Sequence, residues 1–126
     1  MTEQEIRKVF SSFNDKKVLL IGDVMIDQYI WGKVNRMSPE APVPVVEIDK
    51  KEIRLGGAAN CALNIKSLEA NPILCTVIGN DINGINFKKL MKESNLSTDG
   101  ILVDDNRKTT VKTRVISEGK HQLRMD

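Results

Sequence analysis

Val18-Leu19-Leu20-Ile21 is an unbroken apolar run stopped by Gly22, and Ile73 to Ile78 is a second run of the same kind. Runs this short, without polar alternation, suit strands buried on both faces of a parallel sheet. Between them, Ala58 to Leu68 predicts a helix of small residues with Ala62, Ile65 and Leu68 inward, stopped before Pro72. Phe87, Leu90 and Met91 mark another helix, and Ile101-Leu102-Val103 another strand. Asp81 stands where it can cap that helix. Strands alternating with helices predict βαβ units and a mostly parallel α/β sheet.

Three segments stand outside that alternation. Thr2 and Glu5 have capping-box spacing, and Ile6, Val9, Phe10 and Phe13 recur at helical spacing, so a short amphipathic helix is expected to end near Asn14-Asp15. Gln28 to Arg54 is an extended excursion. Tyr29-Ile30-Trp31 is strand-like, Pro39, Pro42 and Pro44 forbid a helix, and Val43, Val45, Val46, Ile48 and Ile53 resume the extended pattern. Thr109 to Ile116 and Gln122 to Met125 flank Glu118-Gly119 as a hairpin. The sequence stops at Asp126 with no closing helix. The sheet is therefore expected to have an uncovered edge or face, and residues 1–126 to be the N-terminal portion of one larger domain.

Nineteen Lys and Arg face 17 Asp and Glu, a formal charge of +2, and five aromatics are scattered among them. That is no footprint for nucleic acid. Cys61 and Cys75 lie in apolar stretches and are expected as buried, reduced thiols. Two Cys and one His assemble no zinc-ligand spacing, so no metal site is expected, and His121, among polar residues, is expected in solvent. No apolar run approaches the ~20 residues that span a bilayer, and Met1 to Phe13 has no signal-peptide core. A cytoplasmic protein without a membrane partner is expected. There is no GxxxxGK[ST] and no GxGxxG, which removes the P-loop and weakens a dinucleotide reading.

Ligands of open α/β sheets bind beyond the carboxyl ends of the strands. Asp23 and Asp27 follow the first strand there, as acceptors for sugar hydroxyls or as capping and turn residues. Gly56-Gly57-Ala58-Ala59-Asn60 is sharper. Two glycines let a backbone approach a ligand closely, the following helix directs amide N–H groups at it, and Asn60 can donate to and accept from a polyol. A plain turn before a helix is the alternative.

Gly56 to Ala62, with Gly79 at its distance, resembles the first signature of the ribokinase/PfkB carbohydrate kinases. Gly22 to Asp27 is similar to that family's first-strand motif, and Gly79-Asn80-Asp81-Ile82-Asn83-Gly84 to its GxDxxG loop. Glu69 departs, standing where the family usually has Gly or Ser near a helix end. Gly22 to Asp27, Arg36 to Val45, Arg54 to Asn60 and Thr109 to Ile116, in that order, resemble one branch: the kinase domain of the ADP-heptose synthesis enzymes.

The resemblance implies a ribokinase-like three-layer α/β sandwich with a mostly parallel sheet and a β lid, incomplete at the C-terminus. Lid strands would lie within about 28–54 and 109–125, and a homodimer would form through the lid. The activity implied is ATP- and Mg2+-dependent phosphorylation of O1 of D-glycero-β-D-manno-heptose 7-phosphate. Asp27, Gly56, Gly57 and Asn60 would hold sugar hydroxyls, with Asp23 second in rank. The substrate's phosphate needs cations, and Arg36, Lys112 and Arg114 are available on the lid strands. The family's catalytic Asp belongs to a GxGD motif. None occurs here, so no catalytic residue is assigned to this chain, and the ATP and Mg2+ sites are expected mostly outside it. Another PfkB-type sugar kinase, or a non-catalytic sugar-phosphate-binding or dimerisation module, is the alternative.

Overall fold

The computed structural model describes residues 1–126. Helix α1 (Glu3–Ser11) runs through a 3-10 turn at Ser12–Asp15 into strand β1 (Lys17–Ile21). Strands β2 (Val24–Met37) and β3 (Pro44–Gly57) follow, then helix α2 (Ala58–Ser67), β4 (Asn71–Gly79), α3 (Ile82–Glu93), β5 (Ile101–Asp104), β6 (Val111–Ser117) and β7 (Lys120–Met125).

Two sheets form. The first, β1-β4-β5, is wholly parallel, with Leu19 beside Ile73 and Val77 beside Leu102. Helices α2 and α3 cover one of its faces. There Leu74, Ile78, Ala59, Ala62, Phe87 and Met91 are each no more than 2% exposed. The two alanines let α2 lie close on the strands, which bulkier side chains would prevent. The expectation that the apolar runs are buried on both faces holds for one face only. On the other, Leu19 is 62%, Ile21 78% and Leu102 61% exposed, because no element of these residues crosses it. The amphipathic α1 closes with the expected capping box but contributes no buried residue. Cys61 is exposed, contrary to expectation, because it lies on the outer side of α2, while Cys75 is half-buried. His121 is exposed.

The second sheet, β3-β2-β6-β7, stands beside the first and contains both segments expected as lid strands. Antiparallel β2 and β3 pair from Val24 opposite Gly57 to Met37 opposite Pro44. The prolines fall in the turn between them and at the first residue of the edge strand, where a missing N–H is tolerated. β6 joins β2 in parallel, Ile26 beside Val111 through Trp31 beside Ile116, and β7 returns antiparallel to β6. Their hairpin turns on Glu118 (φ 51°) and Gly119 (φ 73°), two successive left-handed residues. That geometry matches the twist of the flanking strands. Val24, Ile26 and Leu55 carry the base of this second sheet into the same core as α2 and α3.

Both longer helices end in the same way. After α2, the Glu69 N–H donates to the Lys66 carbonyl at 2.8 Å and the Ala70 N–H to the Ile65 carbonyl at 3.3 Å, with Glu69 at φ 65°. After α3, Asn95 and Leu96 repeat the pattern onto Lys92 and Met91, with Asn95 at φ 53°. These are Schellman endings, whose left-handed residue is most often Gly. Glu69, which stands where the resemblance implies Gly or Ser, thus falls on a left-handed position.

Candidate functional site

Asp27 does not follow the first strand, as the sequence suggested. Gly22 and Asp23 make the whole turn, and Asp27 is the fourth residue of β2. Its side chain is 21% exposed. Oδ1 accepts from Arg114 Nη1 at 2.7 Å. Oδ2 lies over Gly56, in the space that a Cβ there would occupy. The first glycine of the pair therefore makes room for a carboxylate of the protein itself.

Gly57 has a different reason to be glycine. It adopts φ 60°, ψ −135° and caps α2 with no side-chain hydrogen bond. A Cβ would meet the Asp23 carbonyl oxygen at 2.5 Å. That same carbonyl accepts from the Ala58 N–H at 2.9 Å. Asp23 thus acts through its backbone to start the helix, and its carboxylate is exposed. The Asp27 carboxylate lies beside a helix N-terminus, whose amide groups favour anionic and polar guests. Asn60, in the first turn of α2, is exposed.

Register explains which cations reach this place. Lys112 on β6 is level with Asp27, and Arg114 with Tyr29. On the other flank, Arg54 on β3 is opposite Asp27. All share one face of the second sheet, since residues level across a sheet point the same way. The guanidinium carbons of Arg54 and Arg114 lie 4.9 and 5.3 Å from the Tyr29 ring centre, Lys50 lies 4.8 Å from that of Trp31, and the two rings stack at 5.6 Å. The bond to Asp27 raises the Arg114 pKa against the opposing effect of burial. Glu52, held by Arg54 and Lys50, has its carboxyl lowered. Arg36 is not brought to this group: it pairs with Val45, nine residues along β2 from Asp27, at the exposed tip. Sequence reasoning missed Arg54 and Tyr29; the aromatic Tyr29 two residues from Asp27 was the available signal.

The GxDxxG loop sets the position of β6. Asp81 Oδ1 accepts from the Gly84 N–H at 2.7 Å as cap of α3, and Oδ2 accepts from the Thr109 N–H at 2.8 Å. Thr109 Oγ1 in turn accepts from the Gly79 N–H at 3.0 Å. One residue on, the Thr110 carbonyl accepts from the Ile26 N–H, which starts the β2–β6 pairing. These backbone donors, the Thr109 N–H first, lower the Asp81 pKa.

A separate hollow of about 220 Å³ lies beside the end of β1, against the middle of β4 and the start of β5. Asp23, Thr76, Leu102 and Arg107 help line it, and Asp27 and Asn60 lie outside it. On the opposite face of the second sheet, Ile30, Val46, Ile48, Val115, Leu123 and Met125 help line an apolar hollow of about 470 Å³.

The sequence profile of the pfkB family of carbohydrate kinases matches residues 15–126. Bifunctional protein HldE of Helicobacter pylori (strain P12) is 50% identical over 111 residues, covering 88% of this chain and 24% of that protein. Bifunctional protein HldE of Pelobacter propionicus is 40% identical over 126 residues, 100% of this chain and 26% of that one. The chain thus spans about a quarter of the length of the curated relatives it matches. Among solved structures, ribokinase from Cryptococcus neoformans in complex with ADP superposes with a TM-score of 0.63 at 20% identity, over 88% of this chain and 34% of that one. The fold is ribokinase-like.

Proposed function

Because the chain belongs to the pfkB family of carbohydrate kinases, we propose that it is the N-terminal, sugar-binding part of a kinase that phosphorylates O1 of D-glycero-β-D-manno-heptose 7-phosphate. The likeness to the HldE proteins supports this choice of sugar. The observation that carries it is the Asp27 carboxylate, fixed by Arg114 over Gly56 beside the start of α2. A carboxylate tied at one oxygen keeps lone pairs for sugar hydroxyls and cannot swing away from them. Gly56, Gly57 and Asn60 complete the hydroxyl-binding group, with Asp23 second. Lys112 and Arg114 are the cations for the 7-phosphate; Arg36 at the lid tip is a weaker candidate.

ATP is the phosphoryl donor in this reading, with Mg2+, and both bind mainly to segments outside residues 1–126. Phosphoryl transfer rests on positioning and charge stabilisation, and half an acceptor site supplies neither in full. The chain alone is therefore expected to bind the sugar phosphate weakly, without turnover, in the cytoplasm. The apolar hollow on the outer lid face supports a homodimer through the lid. NMR titration of the chain with the heptose 7-phosphate tests the sugar reading. Saturable shifts near Gly56 that weaken about tenfold in Asp27→Asn are expected. No shifts there, or shifts indifferent to that change, would overturn it, and ATP-dependent turnover by the chain would overturn its inactivity.

A further inference from the structure

The lid carries more positive charge than Asp27 neutralises. Arg114 on β6 stands directly opposite Arg124 on β7, and Lys112 lies two residues before Arg114 on the same face. Like charges directly opposite in a sheet repel, so such a pair needs an anion between or beside it. Two carboxylates serve. Asp27 takes Arg114, and Asp126 takes Arg124 through two bonds of 2.7 Å, from Nε and from Nη2. Lys112 makes no ion pair. The Asp126 carboxyl is lowered chiefly by Arg124 and then by the charges of Lys112 and Arg114, so it feels all three cations together.

Asp126 is half exposed and bound to a residue only two positions away. An exposed pair of that kind contributes little stability, so its carboxylate is easily replaced. A phosphomonoester has the same bidentate fit to a guanidinium, more charge and a third oxygen. We propose that Lys112, Arg114 and Arg124 form a phosphate subsite in which the phosphate of a sugar phosphate displaces Asp126 from Arg124. Two inter-strand steps of about 4.8 Å separate β2 from β7. That spacing suits a sugar whose hydroxyls meet Asp27 while its far end carries the phosphate. The proposal rests on the sugar-kinase reading and adds Arg124 as the group that selects a phosphorylated sugar over a free one.

The single Trp31, stacked on Tyr29 beside Arg114, provides a fluorescence probe on this face. The chain is titrated with the heptose 7-phosphate and, separately, with the unphosphorylated heptose, with circular dichroism confirming the fold of each variant. Arg124→Gln is expected to weaken binding of the phosphate form at least tenfold while leaving the free sugar unchanged. Asp126→Asn is expected to tighten the phosphate form several-fold. The subsite is overturned if Arg124→Gln affects both sugars alike, if Asp126→Asn weakens the phosphate form, or if Lys88→Gln on α3 has the same effect as Arg124→Gln. Where the free sugar binds through Asp27 and the phosphate adds nothing, the subsite fails and the sugar reading stands. Where neither sugar binds, both fall.

Discussion

Arg114 on β6 donates to Asp27 on β2 at 2.7 Å, across 87 residues of sequence. Each side chain is only about a fifth exposed, 22% and 21%, so neither is well solvated once the other is removed. Asp27→Ala is expected to destabilise the chain by about 1–2 kcal/mol, through the desolvation cost of an unpaired guanidinium reduced by its partial exposure. The double variant Asp27→Ala/Arg114→Ala should cost less than the sum of the two singles. Urea denaturation of the four-member cycle measures this coupling, and strict additivity would refute it.

Gly56→Ala places a methyl group against the Asp27 carboxylate and the Met25 side chain. Overpacking of this kind costs about 1–3 kcal/mol. The carboxylate should leave its position, so sugar affinity is expected to fall with stability. Gly57→Ala, at φ 60° against the Asp23 carbonyl, strains the backbone and is expected to destabilise at least as much. A Gly56→Ala chain with unaltered thermal midpoint and unaltered sugar affinity would contradict this geometry.

Glu69 occupies the left-handed position of a Schellman ending. A non-glycine residue there costs roughly 1 kcal/mol, partly offset by the greater freedom of glycine in the unfolded chain. Glu69→Gly is therefore expected to stabilise by about 0.5 kcal/mol. A lowered thermal midpoint would show that the Glu69 side chain contributes more than its backbone costs.

Asp81 is held below its ordinary value of 3.8 by backbone N–H donors, that of Thr109 foremost. A carboxyl whose folded pKa is depressed stabilises the fold above the unfolded value, and that contribution is lost as pH falls through the folded one. Asp81→Ala is expected to cost about 1–2 kcal/mol at pH 7. The difference from the wild type should shrink on acidification below about pH 4. A gap independent of pH down to acid unfolding would mean that the charge of Asp81 plays no part.

Local signals were readable wherever a feature is made by neighbours in sequence. The capping box at Thr2, the cap at Asp81, the turn at Glu118-Gly119 and the prolines at the edge of β3 all fall where spacing put them. Asp27, Gly56 and Gly57 were also marked, but their relation was not. Asp27 reaches Gly56 only because β2 starts three residues after β1 ends and folds back along β3. Arg124 was invisible because its level with Arg114 depends on a register shift between Val115 and Ile116. The exposed Leu19 and Ile21 read as buried, since an apolar run states a preference for cover and not what supplies it.

The parallel pairing of β2 with β6 joins Ile26 to Val111, 85 residues downstream. A ribosome adding roughly 5–20 residues per second exposes β2 and β3 for several seconds before β6 emerges. Through that interval Asp27 has no guanidinium to hold it. The proposed sugar-facing surface is thus among the last parts of this segment to mature during synthesis, and a chain interrupted ahead of Val111 would carry the glycine turn and the acid without the strand that brings Arg114 to them.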